Sequence, residues 1–166
     1  TCIIVAAAPL EHLGVKASEI AANIDSAVIR AERQGAKIVP CNVWIMEFNP
    51  MTLRKPGAWG LVAQQLQDGQ VGIAAFPEAR PYTTGVSVIC THDTERAFAV
   101  AHAAANEKGQ YGIAVWFSLV VPFFRVDGAA ARLDADMIAI VHSEPNLIVV
   151  GVTSSFCSLL VVAFRG

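Results

Sequence analysis

Short apolar runs that end at turn-forming residues are the feature that most constrains how this chain can fold. Residues 2–8 form such a run and stop at Pro9, and Lys37 to Pro40 begins a second. Val71 to Phe76 is a third, and two more lie near residues 147–152 and 158–164. Runs of this length with such boundaries are typical of strands buried on both faces. We therefore expect a β-sheet that is covered on each side.

One segment between the first two runs has the period of a helix. Ser18 is suited to cap it, Ile20, Ile24 and Val28 recur on one face, and Gly35 is suited to end it. A helix over 18–34 between two strands predicts a parallel pair joined by a crossover connection.

The rest of the chain continues the alternation of strands and helices. We expect helices over 60–68, over the alanine-rich residues 94–106 on propensity alone, and over 126–134. Further strands are expected at Val86 to Cys90, Ile113 to Val121 and 137–141. The pattern indicates an α/β fold with a mixed or parallel sheet, and one domain that spans residues 1–166.

The charge pattern excludes some partners and locations. Hydrophobic residues make up 54% of the chain, charged residues 16%, and the net charge is −2. The longest basic cluster is Arg54-Lys55, so we expect no nucleic-acid partner. No apolar run reaches the length of a membrane span, and no signal peptide is evident, which predicts a cytoplasmic protein without a membrane partner. The apolar composition also favours an oligomer interface.

The cysteines and histidines do not indicate a metal site. Cys2, Cys41, Cys90 and Cys157 are scattered, without a C-x-x-C pair or a histidine at ligand spacing. His92, His102 and His142 are far apart in sequence and could share a metal only if the fold gathered them. We expect no metal and no cofactor.

Several motifs occur in an order that resembles one known family. They are Gln34-Gly35-Ala36-Lys37-Ile38-Val39, then Pro40-Cys41-Asn42-Val43-Trp44 running to Asn49-Pro50, then Phe76-Pro77-Glu78, Gly109-Gln110-Tyr111-Gly112 and Ala135-Asp136-Met137-Ile138. The series resembles the nitrilase, or carbon–nitrogen hydrolase, superfamily in shortened form.

The resemblance implies a function and a layered fold. It implies an α-β-β-α sandwich that pairs into a homodimer or higher homo-oligomer, and hydrolysis of a small amide, carbamoyl compound or nitrile without a cofactor. A cysteine nucleophile, a glutamate base and a lysine perform that hydrolysis in the family. Their positions fall on Trp116, Asn42 and Ala104, and Glu107 aligns with a second acidic residue. None of the first three can perform its role.

Two other residues are candidate substitutes for the missing groups. Cys90, in Ile89-Cys90-Thr91-His92-Asp93, is similar to a nucleophile motif, and Glu78 lies in a Phe-Pro-Glu triplet. The structural alternatives are a buried apolar cysteine and a solvated carboxylate.

Two further hypotheses remain open from the sequence. A catalytically silent relative would serve as a binding or assembly subunit and would lack a reactive thiol. A pyruvoyl-dependent decarboxylase has a similar length and layers, but it needs a serine at its cleavage site. Val39 to Met46, the segment that could match, contains Cys41-Asn42 instead. That hypothesis predicts two chains after self-cleavage.

Overall fold

A computed structural model describes residues 38–47, 53–153 and 158–165. The expected strand over 2–8 and the expected helix over 18–34 lie outside these residues. The elements in chain order are β1 (Ile38–Pro40), β2 (Trp44–Glu47), α1 (Ala58–Asp68), β3 (Val71–Phe76), β4 (Gly85–Ile89), β5 (Phe98–Ala103), β6 (Ile113–Ser118), β7 (Phe124–Val126), β8 (Ala129–Ala131), a 3-10 turn (Ala135–Met137), β9 (Ile138–Glu144), β10 (Leu147–Thr153) and β11 (Ser158–Phe164).

The strands form three sheets. The largest has the order β2-β3-β6-β5-β4, in which β2 and β3 are parallel and every other pair is antiparallel. An antiparallel sheet has the order β11-β10-β9, and a small one has the order β1-β7-β8. The described chain is thus mixed α/β, mostly strand, with a mixed central sheet. Within the described ranges, no helix is long and apolar enough to cross a membrane.

The two faces of the large sheet are buried against different partners. On one face Ile73, Val115 and Phe117 belong to a core cluster with Ile148 and Val150 of the β9–β11 sheet. On the other face a second cluster joins the sheet to α1. Its sheet members include Ala74, Phe76, Phe98, Val100 and Trp116, and its helix members include Ala63 and Leu66. The large sheet therefore lies between a helix and a second sheet.

The helix expected over 60–68 is confirmed as α1. It begins after Gly57, whose φ of 76° is a conformation that glycine adopts without steric cost. It ends at Gly69, whose backbone N–H donates to the Gln65 carbonyl. Ala63 and Leu66 are its buried residues, so α1 faces the sheet with a narrow apolar stripe.

The helix expected over 94–106 is wrong, because this segment contains β5. All six residues of β5 are buried, in a central position of the large sheet. Phe98, Val100 and His102 alternate with three alanines, which is the two-residue period of a strand. Alanine's helix propensity is a weak preference, and burial between two strands outweighs it.

The helix expected over 126–134 is also wrong, because a hairpin of β7 and β8 lies there. Val126 pairs with Ala129, so Asp127 and Gly128 form a two-residue turn. Their φ angles are 49° and 83°, as this type of hairpin turn requires. The Asp-Gly pair is therefore the feature of the sequence that predicts a hairpin here.

Candidate functional site

A polar pocket lies at one end of the large sheet, on the face that α1 covers. Strands β3 and β5 run in the same direction and end there, whereas β4 and β6 begin there. We call this the pocket end. The cavity measures about 430 Å³ and is lined by Leu53, Arg54, Lys55, Pro56, Gly57, Trp59, Pro81, Tyr82, Thr83, Ser87 and His102.

His102 is the buried polar group of this pocket, with 5% of its surface exposed. Its Nδ1 lies 2.6 Å from the Thr83 carbonyl oxygen, and its Nε2 lies 3.0 Å from Ser87 Oγ. The Trp59 ring meets the imidazole edge-on, with centroids 5.6 Å apart. Both ring nitrogens thus have partners, as a buried imidazole requires.

The strand register explains why Ser87 and His102 meet. Gly85 is paired directly with His102, so Ser87 is its diagonal neighbour on the same face of the sheet. Gly85 has no side chain, and a Cβ built there would lie 4.0 Å from His102 Cε1. A Cβ at that distance would make ordinary van der Waals contact, so the hydrogen bond to Ser87 follows from the register and does not depend on the glycine.

A cation and an aromatic ring form the mouth of the pocket. The Nε of Arg54 donates to the Arg80 carbonyl at 2.8 Å, and its guanidinium carbon lies 4.4 Å from the centre of the Tyr82 ring. Tyr82 is 74% exposed. Lys55 follows in the same loop and is exposed. None of the described residues that line the cavity is acidic, so its local charge is positive.

Backbone hydrogen bonds hold the loops of the pocket end together. Ala105 N–H donates to the Pro81 carbonyl at 3.0 Å, and Ala104 N–H donates to Thr84 Oγ1 at 3.0 Å. Gly112 has a φ of 81°, and a Cβ there would lie 2.8 Å from Pro81 Cδ and 3.0 Å from the Ala105 nitrogen. These contacts fix the position of Pro81 to Thr83 and hence one wall of the pocket.

The structure does not gather the residues that the nitrilase resemblance assigned to catalysis. Asn42 is exposed and precedes β2, so it lies at the end of the sheet opposite the pocket. Ala104 follows β5 and lies at the pocket end. Trp116 is fully buried within β6, in the cluster beneath α1. Its ring contacts Trp59, Phe76 and Phe98.

The candidate substitutes are also separated. Cys90 is exposed and follows β4, at the end of the sheet opposite Glu78, which follows β3. Glu78 forms an ion pair with Arg165, and only 14% of its side chain is exposed. Glu107 is exposed, in the loop between β5 and β6. The structural alternatives are also wrong, because Glu78 is not a solvated carboxylate and Cys90 is not a buried cysteine.

A polar cluster ties α1 to the turn between β4 and β5, away from the pocket. Thr91 Oγ1 lies 2.8 Å from Asp93 Oδ1 and 2.7 Å from Gln67 Oε1, so its single hydroxyl proton serves two acceptors. The Thr91 hydrogen bond is the largest cause that lowers the pKa of Asp93 below its ordinary 3.8, and desolvation opposes it. The charge of His92 and hydrogen bonds from Gln67 and Thr94 also lower this pKa. In the described part of the chain, no three His, Cys, Asp or Glu side chains lie close enough to hold a metal ion.

A second cavity of about 310 Å³ is apolar and lies between β2 and α1. Its lining includes Trp44, Ile45 and Met46 on the sheet side and Val62 and Leu66 on the helix. Trp44 is 74% exposed. This groove contains no ionisable side chain among its lining residues, in contrast to the pocket that holds His102.

Comparison with known proteins does not support the nitrilase resemblance. No protein-family model and no curated protein matches the chain. One solved structure that is similar is the endonuclease domain of TRAS1, a telomere-specific non-LTR retrotransposon. The TM-score is 0.41 and the sequence identity 16%, and the match covers 74% of this chain. It covers 45% of the other chain, so the present chain spans less than half of that structure.

The assignment to the carbon–nitrogen hydrolases is therefore corrected. No family model and no curated protein supports it, and the structure separates the residues that it assigned to catalysis. The silent relative and the decarboxylase gain no support either. The small amide or nitrile substrate loses its basis with the family, and the homo-oligomer is then supported by the apolar composition alone. The exclusion of nucleic acid is corrected too. That exclusion treated Arg54-Lys55 as too short a basic cluster, whereas in the structure the two residues line one pocket whose described lining contains no acidic residue.

Sequence reasoning missed the residues that form the pocket. The sequence marks His102 only as one of three distant histidines and gives no role to Ser87. Arg54-Lys55 alone is too short a basic cluster to predict a nucleic-acid partner. The alternation of β5 would have placed His102 on the same face as Phe98 and Val100, which is the signal that was available.

Proposed function

We propose that this chain binds single-stranded nucleic acid and holds one nucleotide unit at the pocket end of the large sheet. The observation that carries the proposal is the Arg54 guanidinium above the exposed Tyr82 ring, 4.4 Å from its centre, at the mouth of a cavity. The proposal rests on this chemistry and not on the structural likeness.

The aromatic and guanidinium surfaces suit an unpaired base. Proteins that bind single strands stack bases on aromatic rings and on arginine planes, and each stacked base contributes about 1–3 kcal/mol. Tyr82 and Arg54 supply both kinds of surface side by side. Trp59 adds an indole to the lining, and its Nε1 donates to the Leu53 carbonyl at 2.9 Å, which fixes the ring.

The charge of the lining suits a phosphate. Arg54 and Lys55 are adjacent, and none of the described residues that line the cavity is acidic. A guanidinium and an ammonium group both attract phosphate through their positive charge. Thr83 and Ser87 provide hydroxyl groups in the same cavity. The net charge of −2 means that contacts outside the pocket add little attraction, so binding should be local.

Three finer expectations belong to this proposal. The α-β-β-α sandwich expected from the sequence has two helical layers. The described residues contain two stacked sheets and one helix, so the full sandwich requires a second helical layer. A single domain over residues 1–166 is the simplest organisation for a chain of this size. A cytoplasmic location agrees with Cys41 and Cys90, which are both free thiols.

Binding of a fluorescently labelled oligothymidylate, followed by anisotropy, tests the proposal. We expect a shallow salt dependence, because each phosphate neutralised on a single strand contributes a slope of about 0.7 in log K against log salt. Two cations give a slope of about −1.4 on that basis. Arg54→Ala should weaken binding roughly ten- to hundredfold, since a charged hydrogen bond contributes about 1.5–3 kcal/mol.

The matched control is Arg132→Ala, which removes an exposed arginine that does not line the pocket. It should leave the affinity within about twofold of the unmodified protein, because distant exposed charges are screened. Absence of binding by folded protein, or equal losses in the two variants, would contradict the proposal.

A further inference from the structure

The hydrogen bonds of His102 define which nitrogen carries its proton. The Thr83 carbonyl oxygen can only accept, so Nδ1 must donate to it across their 2.6 Å separation. In the neutral imidazole Nε2 then has a lone pair, and it faces Ser87 Oγ at 3.0 Å. Ser87 is therefore the donor in that contact, and its hydroxyl is aligned with a base.

The surroundings hold this pair in place. His102 lies in β5, between two neighbouring strands, and Trp59 packs against its edge at 5.6 Å. Thr83 belongs to the wall that Gly112 and the backbone of Ala105 lock in position. Ser87 is half-buried in β4 and lines the cavity, so an entering molecule can reach it. A serine, a histidine and a third group that orients the histidine form the arrangement of an activated nucleophile.

We propose that Ser87 is a nucleophile, activated by His102, that attacks the phosphorus of a phosphate diester held by the pocket. Ser87 Oγ forms a bond to phosphorus while its proton passes to His102 Nε2. The bond between phosphorus and the leaving oxygen, on the side opposite Ser87, breaks. That oxygen takes a proton from water and departs as an alcohol, and the hydroxide that forms takes the proton from Nε2. The protein then carries a phosphodiester on Ser87, and the imidazole is neutral again.

The roles of the other residues follow from their positions. Arg54 and Lys55 supply positive charge where the attacked phosphate gains negative charge. The Thr83 carbonyl orients His102 and stabilises the imidazolium that forms during the transfer. This inference rests on the proposed function for its substrate class, but the reactivity of Ser87 does not depend on nucleic-acid binding.

Labelling with an alkyl fluorophosphonate tests the inference. Attack by Ser87 Oγ on this uncharged probe forms the same oxygen–phosphorus bond and expels fluoride, with the proton again accepted by His102. The full chain is incubated with the probe, its intact mass is measured, and the label is located by peptide mapping. We expect a single adduct on Ser87. A mapped adduct on another residue, or none, overturns the proposal without the need for any variant.

Variants separate chemistry from structure. Ser87→Ala should abolish the adduct, whereas Ser143→Ala, a half-buried serine in β9 that does not line the pocket, should label as the unmodified protein does. His102→Asn keeps an amide donor for the Thr83 carbonyl but has no group that can accept the serine proton. We expect its labelling rate to fall at least a hundredfold while its thermal unfolding curve stays cooperative. Undiminished labelling in folded His102→Asn would overturn the role of the imidazole.

Competition distinguishes this inference from the function on which it rests. Excess oligothymidylate should slow labelling of Ser87 if the nucleotide occupies the same pocket. An adduct on Ser87 that oligothymidylate does not protect would support the nucleophile and contradict the proposed function. Oligothymidylate binding without any adduct would support the proposed function and contradict the nucleophile.

Discussion

The two faces of the large sheet pack against different partners, and the six residues of β5 carry side chains of different size on each face. Ala99, Ala101 and Ala103 point to the β9–β11 sheet, beside the larger side chains of β6 on that face. On the opposite face β5 carries Phe98 and Val100, and then His102. Along β5, therefore, the small residues face the second sheet and the large ones face the side that α1 covers. The candidate site lies where α1 begins, at the point where the apolar residues of this face end and the polar lining of the pocket starts.

The largest expected effect concerns the centre of the helix-covered face. Trp116→Ala should destabilise the fold by about 3–5 kcal/mol, because it removes a fully buried indole among three other aromatic rings. The Nε1 of Trp116 is buried without a hydrogen-bond partner within the described structure. Trp116→Phe, which also removes that donor, should therefore cost much less. Urea unfolding measures both, and equal losses would contradict the account.

The second prediction probes the sheet-covered face. Ala101→Leu should destabilise the fold by about 1–3 kcal/mol, because Ala101 is fully buried between two sheets and added methyl groups must displace neighbours. The control is Ala130→Leu in β8, where the side chain is exposed and little change is expected. If Ala101→Leu were as stable as the control, the close approach of the two sheets would be wrong.

The third prediction separates binding from stability at the pocket. Tyr82→Ala should change the free energy of unfolding by no more than about 0.5–1 kcal/mol, since the ring is 74% exposed and mainly loses one cation–π contact. Its affinity for oligothymidylate should nevertheless fall about tenfold, given the contribution of one stacked base. Trp44→Ala, an equally exposed aromatic residue outside the pocket, is the control and should bind normally.

The smallest expected effect lies at the turn between β4 and β5. The pKa of Asp93 is lowered in the folded protein, chiefly by the Thr91 hydroxyl, so the ionised carboxylate favours folding. That contribution is present above the ordinary pKa of 3.8 and is lost as the pH falls through the lowered value. Asp93→Asn should therefore remove a small acid-dependent part of stability, seen in urea unfolding as the pH falls from about 5 to well below 3.8. If the free energy of unfolding of the variant followed the pH in parallel with that of the unmodified protein across that range, this prediction would be wrong.

The sequence predicted the apolar framework better than the site. Val71–Phe76 and Ser158–Phe164 were expected as strands with the observed limits, because short apolar runs with clear boundaries have few alternatives. Two segments failed because alanine propensity was weighed above local signals. These were the two-residue alternation of β5 and the Asp127-Gly128 pair of the β7–β8 hairpin.

The candidate site could not be predicted because it depends on distant segments meeting. Arg54 and Tyr82 come from different loops, and Ser87 meets His102 only through the pairing of β4 with β5. The family resemblance led away from these residues, because it fixed attention on motif positions such as Asn42 and Trp116. The structure places those two at an exposed sheet end and in the core.

Backbone and side-chain NMR shifts on addition of oligothymidylate test the central claim most directly. The account predicts that the largest shifts fall on Arg54, Lys55, Tyr82 and Thr83, with smaller ones at Ser87 and His102 and none in the β9–β11 sheet. Shifts confined to the apolar groove around Trp44, shifts spread over the β9–β11 sheet, or no shifts in folded protein would contradict it.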